Sequence, residues 1–410
     1  YSTSTQLCKV VEQIQPMSPN GIFQYKLPPS KSHMIRELML ASKSSEVTEI
    51  NFQGTPGEDI ISMANCLEKM GVKIEKITTK WIVYPPKKGL ISPKGAIYCG
   101  NSGTVARIMT VLAATFDSEI TIDGDNSLRK RSNSTLSSCL KQLGCEISSD
   151  GFPCTVKGPI NPKDIEIDAS ESSQPISALI LCSSDFKSAM NLTIIGQEVS
   201  RGYLQLTCKI AEKWGLKRNI VDNKIELSGW EIITPKTVKI PSEMSLYPMA
   251  ILLDNLHQNL QVEIEEQDID ELLFNTLELL EDADINMINL RDASDIITPA
   301  AALMAISSGG DIIGAAHSKG KETNRILRTC ELLEKFSLSC STMKDGLSLL
   351  GGEIPKKPNE PIDTHMDHRL AMTAVILATY CGGEIMNPEI VKVTHPDFLE
   401  MIKSLKILQP

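Results

Sequence analysis

The chain has 410 residues, 41% of them hydrophobic and only 4% aromatic; a single core stops growing at ~250 to 300 residues, so two or more domains held by aliphatic packing are expected. Its 51 acidic and 41 basic residues leave a formal net charge of -10, and no run of five or six lysines and arginines interrupts that balance, which argues against nucleic-acid and anionic-membrane surfaces. The 25 glycines and 22 prolines are close to average usage and exclude a collagenous or disordered chain in favour of a globular α/β one.

The 11 cysteines are odd in number and include no Cys-x-x-Cys pair, so neither a disulfide framework nor a zinc knuckle is expected, and a reducing cytoplasm fits best. The six histidines are scattered apart from His365 and His368, whose spacing alone does not make a metal site. No apolar run approaches the ~18 residues of a membrane span, and the first residues lack the order of a signal peptide. A soluble, unanchored protein is expected. The chain opens on Tyr1 rather than Met, which leaves room for leading residues or a targeting peptide ahead of it.

In chain order, the first legible element follows Leu27-Pro28-Pro29. The prolines end a strand, Ser30 is placed as the N-cap of a helix, and Lys31 and Ser32 fall in its first turn. A lysine there opposes the helix dipole unless an anion is bound, because the exposed N–H groups already carry partial positive charge. The alternative is a solvated surface lysine.

A passage then recurs: an amphipathic helix ends, a glycine takes the left-handed position after it, and an extended stretch follows. It stands at Leu67 to Ile74, Leu140 to Ile147 and Ala211 to Lys217, with glycines at 71, 144 and 215, hence spacings of 144 − 71 = 73 and 215 − 144 = 71. Weaker copies at Leu277 to Ile285, Leu332 to Leu338 and Met401 to Ile407 bring the number to six. A period of about 70 is too long for a solenoid turn of ~20 to 50 residues, so each copy reads as a helix-plus-strands subdomain; the alternative is chance recurrence of the helix-to-strand passages that any α/β protein contains. Pro28-Pro29 and Pro241-Ser242 mark the crossings. A first domain over 28–240 and a second over 1–27 with 241–410 are expected.

Between the repeats lie segments able to carry chemistry. Cys99 to Arg107 (CGNSGTVAR) joins two glycines to Asn101, Ser102 and Thr104, with Arg107 one helical turn past Gly103. Such a stretch can close backbone N–H groups on a phosphate or carboxylate where side chains are absent, or it is an ordinary Gly-rich turn. Asp123 to Ser132 puts Arg129, Lys130 and Arg131 in a row after a Gly-Asp turn, the usual composition of a solvated face. Ala169 to Gln174 and Ser200 to Tyr203 are dense in neutral donors. Lys319 to Arg325 (KGKETNR) and Met366 to Arg369 (MDHR) join acids or imidazole to bases, as surface salt bridges or acid–base groups do. Five basic clusters on an acidic chain are explained economically by one site for a polyanionic small molecule, since guanidinium forks match phosphate and carboxylate.

These motifs, in this order, closely resemble the 5-enolpyruvylshikimate-3-phosphate synthase family, the 3-phosphoshikimate 1-carboxyvinyltransferases: PSKSxxxR, GNSGTxxR, a GDxSLxxR-type segment, SSQ, SxxY, KExxR, DHR, and HPDF in place of an aromatic-Pro-Asp. The resemblance spans essentially the whole chain. It implies two inverse α/β-barrel-like domains, each of three βαβαββ repeats, and transfer of the enolpyruvyl group of phosphoenolpyruvate to the 5-hydroxyl of shikimate 3-phosphate in aromatic amino-acid biosynthesis. It implies no cofactor and no metal, a monomer, and two small anionic substrates as partners. Residue by residue, it places Ser32, Arg36, Ser172, Ser173, Gln174, Ser200, Tyr203, Asp295, His317 and Lys321 on shikimate 3-phosphate. Lys31, Asn101, Gly103, Thr104, Arg131, Gln174, Arg325, Arg369 and Lys392 fall to phosphoenolpyruvate. Asp295 would accept the 5-hydroxyl proton, Glu322 and Lys31 would move the proton at the enol, and His368 would orient.

Several positions depart from the family pattern. Val393 stands where a phosphoenolpyruvate-binding lysine is usual, with Lys392 one residue earlier, and His317, Asn324 and Met366 replace Asn, Asp and Asn or Ser. They leave open a paralogue with another acceptor or a non-catalytic anion-binding homologue. The sister transferase acting on UDP-N-acetylglucosamine carries a reactive cysteine in a Gly-rich loop, and the corresponding stretch Gly124 to Ser132 has none.

Overall fold

A computed structural model describes residues 10–217, 219–221, 223–264, 271–282 and 285–409. Cys8, and Ala283 with Asp284 in the fourth copy of the repeat, lie outside the described residues. Packing divides the chain into two units, one of residues 28–244 with 271–274 and the other of residues 10–27, 245–264 and 275–409.

In the 28–244 unit, three four-stranded sheets share one plan. Ile97–Tyr98 lies parallel to Ile120–Asp123, which pairs antiparallel with Cys154–Lys157, itself antiparallel to Glu146–Ile147. Ile165–Asp168, Met190–Ile195, Lys224–Leu227 and Asn219–Val221 repeat that order. Parallel neighbours need a crossover, and the helices Gly103–Ala113 and Gln174–Cys182 supply it; a second helix, Ser134–Gln142 or Arg201–Lys213, then leads into the hairpin. The sequence of elements is βαβαββ. In the remaining sheet the first strand is Thr237–Lys239, which returns from the far end of the unit to lie parallel to Thr48–Asn51. The other unit repeats the plan in Met287–Asn289, Gly310–Ile313, Leu347–Leu349 and Cys340–Thr342. Its other described sheets are smaller: Gly21–Tyr25 parallel to Leu260–Ile264, and Gly383–Met386 between Val11–Ile14 and Ile362–Asp363.

The helices fall into two kinds. Lys31–Ser42, Gly103–Ala113 and Gln174–Cys182 are buried nearly all round, the last two mostly apolar, with Pro175 through Cys182 buried without a break. Tyr247–Leu256, Ile297–Ile306 and His368–Cys381 are their counterparts, and Tyr247–Leu256 packs on both of the others. Such helices belong inside a unit. The second kind keeps one buried stripe, as in Glu58–Lys69 (Ile60, Met63, Ala64, Leu67) and Arg325–Lys335 (Ile326, Thr329, Cys330, Leu333). Among the described residues no helix is long and apolar enough to cross a membrane.

The repeated glycines end their helices as expected, with φ of +96° at Gly71, +84° at Gly144 and +110° at Gly215. Each closes the same pair of bonds: Gly71 N to Glu68 O (3.1 Å) with Val72 N to Leu67 O (3.2 Å), Gly144 N to Lys141 O (3.1 Å) with Cys145 N to Leu140 O (3.0 Å), and Gly215 N to Glu212 O (3.0 Å) with Leu216 N to Ala211 O (2.9 Å). The copy at Leu332 to Leu338 does this without a glycine. Ser337 takes φ +61°, its N–H reaching Glu334 O and that of Leu338 reaching Leu333 O, both at 2.9 Å. The copy at Met401 to Ile407 departs: helix Phe398–Ser404 passes into a 3-10 turn, Leu405–Leu408, not a strand. With no glycine or other left-handed residue to reverse the chain, the coil simply tightens.

Ser337→Gly should therefore stabilise its unit by roughly 0.5 to 1 kcal/mol, because the left-handed penalty of a Cβ-bearing residue outweighs glycine's larger unfolded-state entropy. Urea unfolding of the two chains measures it, and a loss of stability would contradict the strain.

Candidate functional site

In the 28–244 unit the candidate residues gather where inner helices begin. Ser30 occupies the N-cap of Lys31–Ser42, but its hydroxyl contacts His33 Nδ1 (3.1 Å) and does not cap. The acceptor for the Lys31 N–H is Glu243 Oε2 (3.0 Å), a carboxylate 5% exposed and brought back from the end of the unit. The Lys31 ammonium pairs with Asp59 (3.0 Å) in the first turn of the neighbouring helix. The anion anticipated beside this lysine is thus supplied by the chain's own acids.

Gly100, at φ +59°, turns the loop, and Ser102 caps Gly103–Ala113 through the Val105 N–H. A Cβ at Gly103 would stand 2.7 Å from Arg107 Nη1 and 3.2 Å from Arg131 Nη1, with Gln174 Oε1 at 3.7 Å. Two guanidinium groups and an amide thus close on the one residue that has no side chain. Arg107 donates to Gln174 Oε1 (2.7 Å), Gly103 O (3.2 Å) and Ser132 O (2.9 Å); Arg131 donates to Asn101 Oδ1 (2.7 Å) and Ser127 Oγ (3.2 Å). Of the three consecutive bases only Arg131 joins the group, since Arg129 pairs with Asp123 (2.6 Å) and Lys130 is exposed. Thr104, in the same first turn, is half-buried.

The neutral donors form a second cluster in this unit. Arg36, 2% exposed, donates to Thr207 Oγ1 (2.7 Å), Ser32 O (2.7 Å) and Tyr203 O (3.3 Å). Ser200 holds φ +55°, its carbonyl accepting from Ser173 Oγ (3.1 Å), while Ser172 Oγ caps the Gln174 N–H (3.1 Å). A left-handed serine at the head of a helix is a strained position held by its surroundings.

In the other unit the centre is Arg325, 1% exposed. Its Nε donates to Asp367 Oδ2 (2.8 Å), Nη1 to Asp295 Oδ1 (2.9 Å), and Nη2 to both Glu322 Oε2 (2.5 Å) and Asp367 Oδ1 (3.2 Å). Burial opposes the guanidinium charge, but Asp367, Glu322 and Asp295 outweigh it and raise its pKa. Lys321 Nζ lies 3.7 Å from Asp295 Oδ1. Asp367, fully buried, also accepts from Thr323 Oγ1 (3.1 Å) and caps the last inner helix through the Arg369 N–H (2.9 Å). Arg369, equally buried, donates to the carbonyl (2.5 Å) and hydroxyl (2.6 Å) of Ser245, and its Nε is buried without a partner. His368 is buried at the start of the same helix. His317 has its pKa lowered to about 4 by burial and then by Lys321, and its Nε2 also lacks a partner. Lys392 stands apart: the 3-10 turn Pro388–Val393 buries Val393, 3% exposed, and leaves Lys392 exposed. Among the described residues no group of three or more His, Cys, Asp or Glu could hold a metal ion.

Asp367 was visible in the sequence only as part of an acid–base cluster, and Asp59, Glu243, Ser245 and Thr207 carried no motif. The sequence matches the family model of EPSP synthase (3-phosphoshikimate 1-carboxyvinyltransferase) over residues 23–246 and 231–402, and the chain belongs to that family. It is 30% identical to the 3-phosphoshikimate 1-carboxyvinyltransferase of Nitrosopumilus maritimus, across 92% of this chain and 94% of that one. It is 29% identical to the enzyme of that name from Caldicellulosiruptor saccharolyticus, across 92% and 95%. The fold matches that of EPSP synthase from Acinetobacter baumannii with a TM-score of 0.78, at 21% identity, over 97% of this chain and 98% of that one. It also matches the enolpyruvyl transferase NikO from Streptomyces tendae at 0.76, with 11% identity, over 97% of each.

Asp367→Asn keeps the shape and a capping oxygen but leaves Arg325 short of one buried charge, so it should cost about 3 to 5 kcal/mol of stability. Denaturant titration reads this, and a loss below ~1 kcal/mol would mean that the pairing is not what holds Arg325.

Proposed function

We propose that this protein transfers the enolpyruvyl group of phosphoenolpyruvate to the 5-hydroxyl of shikimate 3-phosphate and releases phosphate. Family membership supports this reading, and one observation carries it: Asp295 and Glu322 are brought to a single buried guanidinium, with Lys321 3.7 Å from Asp295. Addition followed by elimination needs a base for the attacking hydroxyl, a proton donor for the methylene carbon, and charge placed beforehand around a transient cationic carbon. Asp295 takes the hydroxyl proton as oxygen bonds to the enol carbon, Glu322 with Lys31 moves the methylene proton on and off, and His368 orients. Loss of that proton expels phosphate and restores the double bond.

The reading assigns the phosphate of shikimate 3-phosphate to Ser172, Ser173, Ser200 and Lys321, and its ring and carboxylate to Ser32, Arg36, Gln174 and Tyr203, with Asp295 and His317. Phosphoenolpyruvate falls to Lys31, Asn101, Gly103, Thr104, Arg131, Gln174, Arg325 and Arg369. The bare Cα of Gly103 between Arg107 and Arg131 suits an anion, since backbone N–H groups and guanidinium forks can then reach it together. Lys392, exposed, is the weakest member of the set. The reading includes a monomer working in a reducing cytoplasm; none of the described cysteines is in a disulfide.

Val393 and His317 favour a second reading, an acceptor other than shikimate 3-phosphate. Phosphate release that requires phosphoenolpyruvate and shikimate 3-phosphate together, with the enolpyruvyl ether seen by mass spectrometry, supports the first. Product formed from phosphoenolpyruvate only with another acceptor points to the second, whereas tight shikimate 3-phosphate binding without product points to a non-catalytic anion-binding homologue. Arg131→Ala should weaken phosphoenolpyruvate use by about 1.5 to 3 kcal/mol, the worth of a charge-assisted hydrogen bond, while shikimate 3-phosphate binding stays within threefold. Equal losses for both ligands in calorimetry would contradict the assignment of Arg131.

A further inference from the structure

The helix Arg201–Lys213 buries Leu204, Leu206, Thr207, Cys208, Ile210 and Ala211, and Thr207 brings the one side-chain oxygen of that stripe. A hydroxyl shut away from water is unfavourable unless its hydrogen bonds are made inside the protein. With one proton and two lone pairs, a hydroxyl can serve three partners, and the fully buried Thr207 Oγ1 has three. It accepts from Arg36 Nε at 2.7 Å, while Tyr203 O, one turn earlier in its own helix, and Ser177 Oγ both stand 2.9 Å away. Arg36 lies on the helix Lys31–Ser42 and Ser177 on Gln174–Cys182, and Arg201–Lys213 packs on both. One oxygen thus ties together the three helices whose first turns carry Ser32, Gln174 and Tyr203.

The grip on Arg36 is directional. Nε and Nη2 form one edge of the guanidinium; Thr207 Oγ1 takes the first, Tyr203 O the second at 3.3 Å, and Nη1 reaches back to Ser32 O at 2.7 Å. Held in this way, the guanidinium plane resists rotation about its stem, and its Nη1 and Nη2 end keeps one direction. That end is the one that meets a carboxylate in a two-pronged pair. Threonine suits the task, because β-branching limits its rotamers and an oxygen bonded to the carbonyl one turn back is already aimed. It is also neutral, so it orients the cation without cancelling its charge. We propose that Thr207 is a positioning residue that sets the angle at which Arg36 meets the carboxylate of the acceptor. The proposal rests on the reading in which Arg36 receives the carboxylate of shikimate 3-phosphate.

Thr207→Val keeps the shape and removes the oxygen, whereas Thr207→Ser keeps the oxygen. Calorimetry compares shikimate 3-phosphate with its analogue bearing a hydroxymethyl group in place of the carboxylate. Thr207→Ser should match the wild-type preference for the carboxylate ligand within about threefold, while Thr207→Val should lose roughly 10- to 100-fold of it, the range of a charge-assisted pair. In turnover, the valine should raise the KM for shikimate 3-phosphate by a similar factor. Its kcat, and its KM for phosphoenolpyruvate at saturating shikimate 3-phosphate, should stay within about threefold, since the charge-assisted pair it disturbs is with the other substrate. A preference unchanged in Thr207→Val, or lost equally in Thr207→Ser, overturns the role. So does an equal rise in both KM values, because a merely loosened fold would weaken both substrates alike. If Thr207→Val does not fold, Thr207→Ala is read in the same way, and an unchanged preference there overturns the role. Wild-type turnover with the preference unmoved by the valine sinks the positioning role alone, whereas a wild type that forms no product and shows no preference for the carboxylate sinks the underlying reading.

Discussion

A helix buried on all sides leaves its first N–H groups as the chain's most exacting polar demand, and in each unit the inner helices begin where the candidate residues gather. Side chains meet part of that demand. Glu243 serves Lys31, Ser102 serves Val105, Ser172 serves Gln174, and Asp367 serves Arg369. Cations are then added to ends that already carry partial positive charge. That is unfavourable without an anion, and it is repeated at Lys31, Arg107, Arg325 and Arg369.

The units answer this surplus differently. Arg107 and Arg131 are positioned by neutral oxygens from Gln174, Asn101, Ser127 and backbone carbonyls. Bonds to neutral oxygens orient a guanidinium without themselves cancelling its charge. Arg325 is instead neutralised by carboxylates.

What was legible in the sequence depended on distance along the chain. Gly71, Gly144 and Gly215 announce their helix ends because the left-handed residue and its partners lie within six positions, and the regular spacing exposes the repeat. Ser337 makes the same turn unannounced, since a serine is seldom paid the cost of φ +61° and nothing local distinguishes it. Leu405 to Leu408 looked like a strand by composition and coils as a 3-10 turn, because no strand partner lies beside it in the sheets described. The motifs located the loops, but not which members face inward. Arg129 and Arg131 are two residues apart, and only packing shows that one pairs with Asp123 and the other reaches Asn101. Glu243 is 212 residues from the amide it caps, beyond any local rule.

Val393 sits in a turn that packs along the helix His368–Cys381, the element that carries Arg369. A lysine there would add a second cation to an element that already buries one, at an electrostatic cost repaid only when an anion is bound. Valine removes that cost and, on the proposed assignment, leaves Arg369, its Nε buried without a partner, to meet the anion with less help. The carboxylates on Arg325 and their tie to Asp367 do not pass through Val393. The substitution should therefore show itself in how tightly phosphoenolpyruvate is held, and only weakly in how fast a bound molecule reacts.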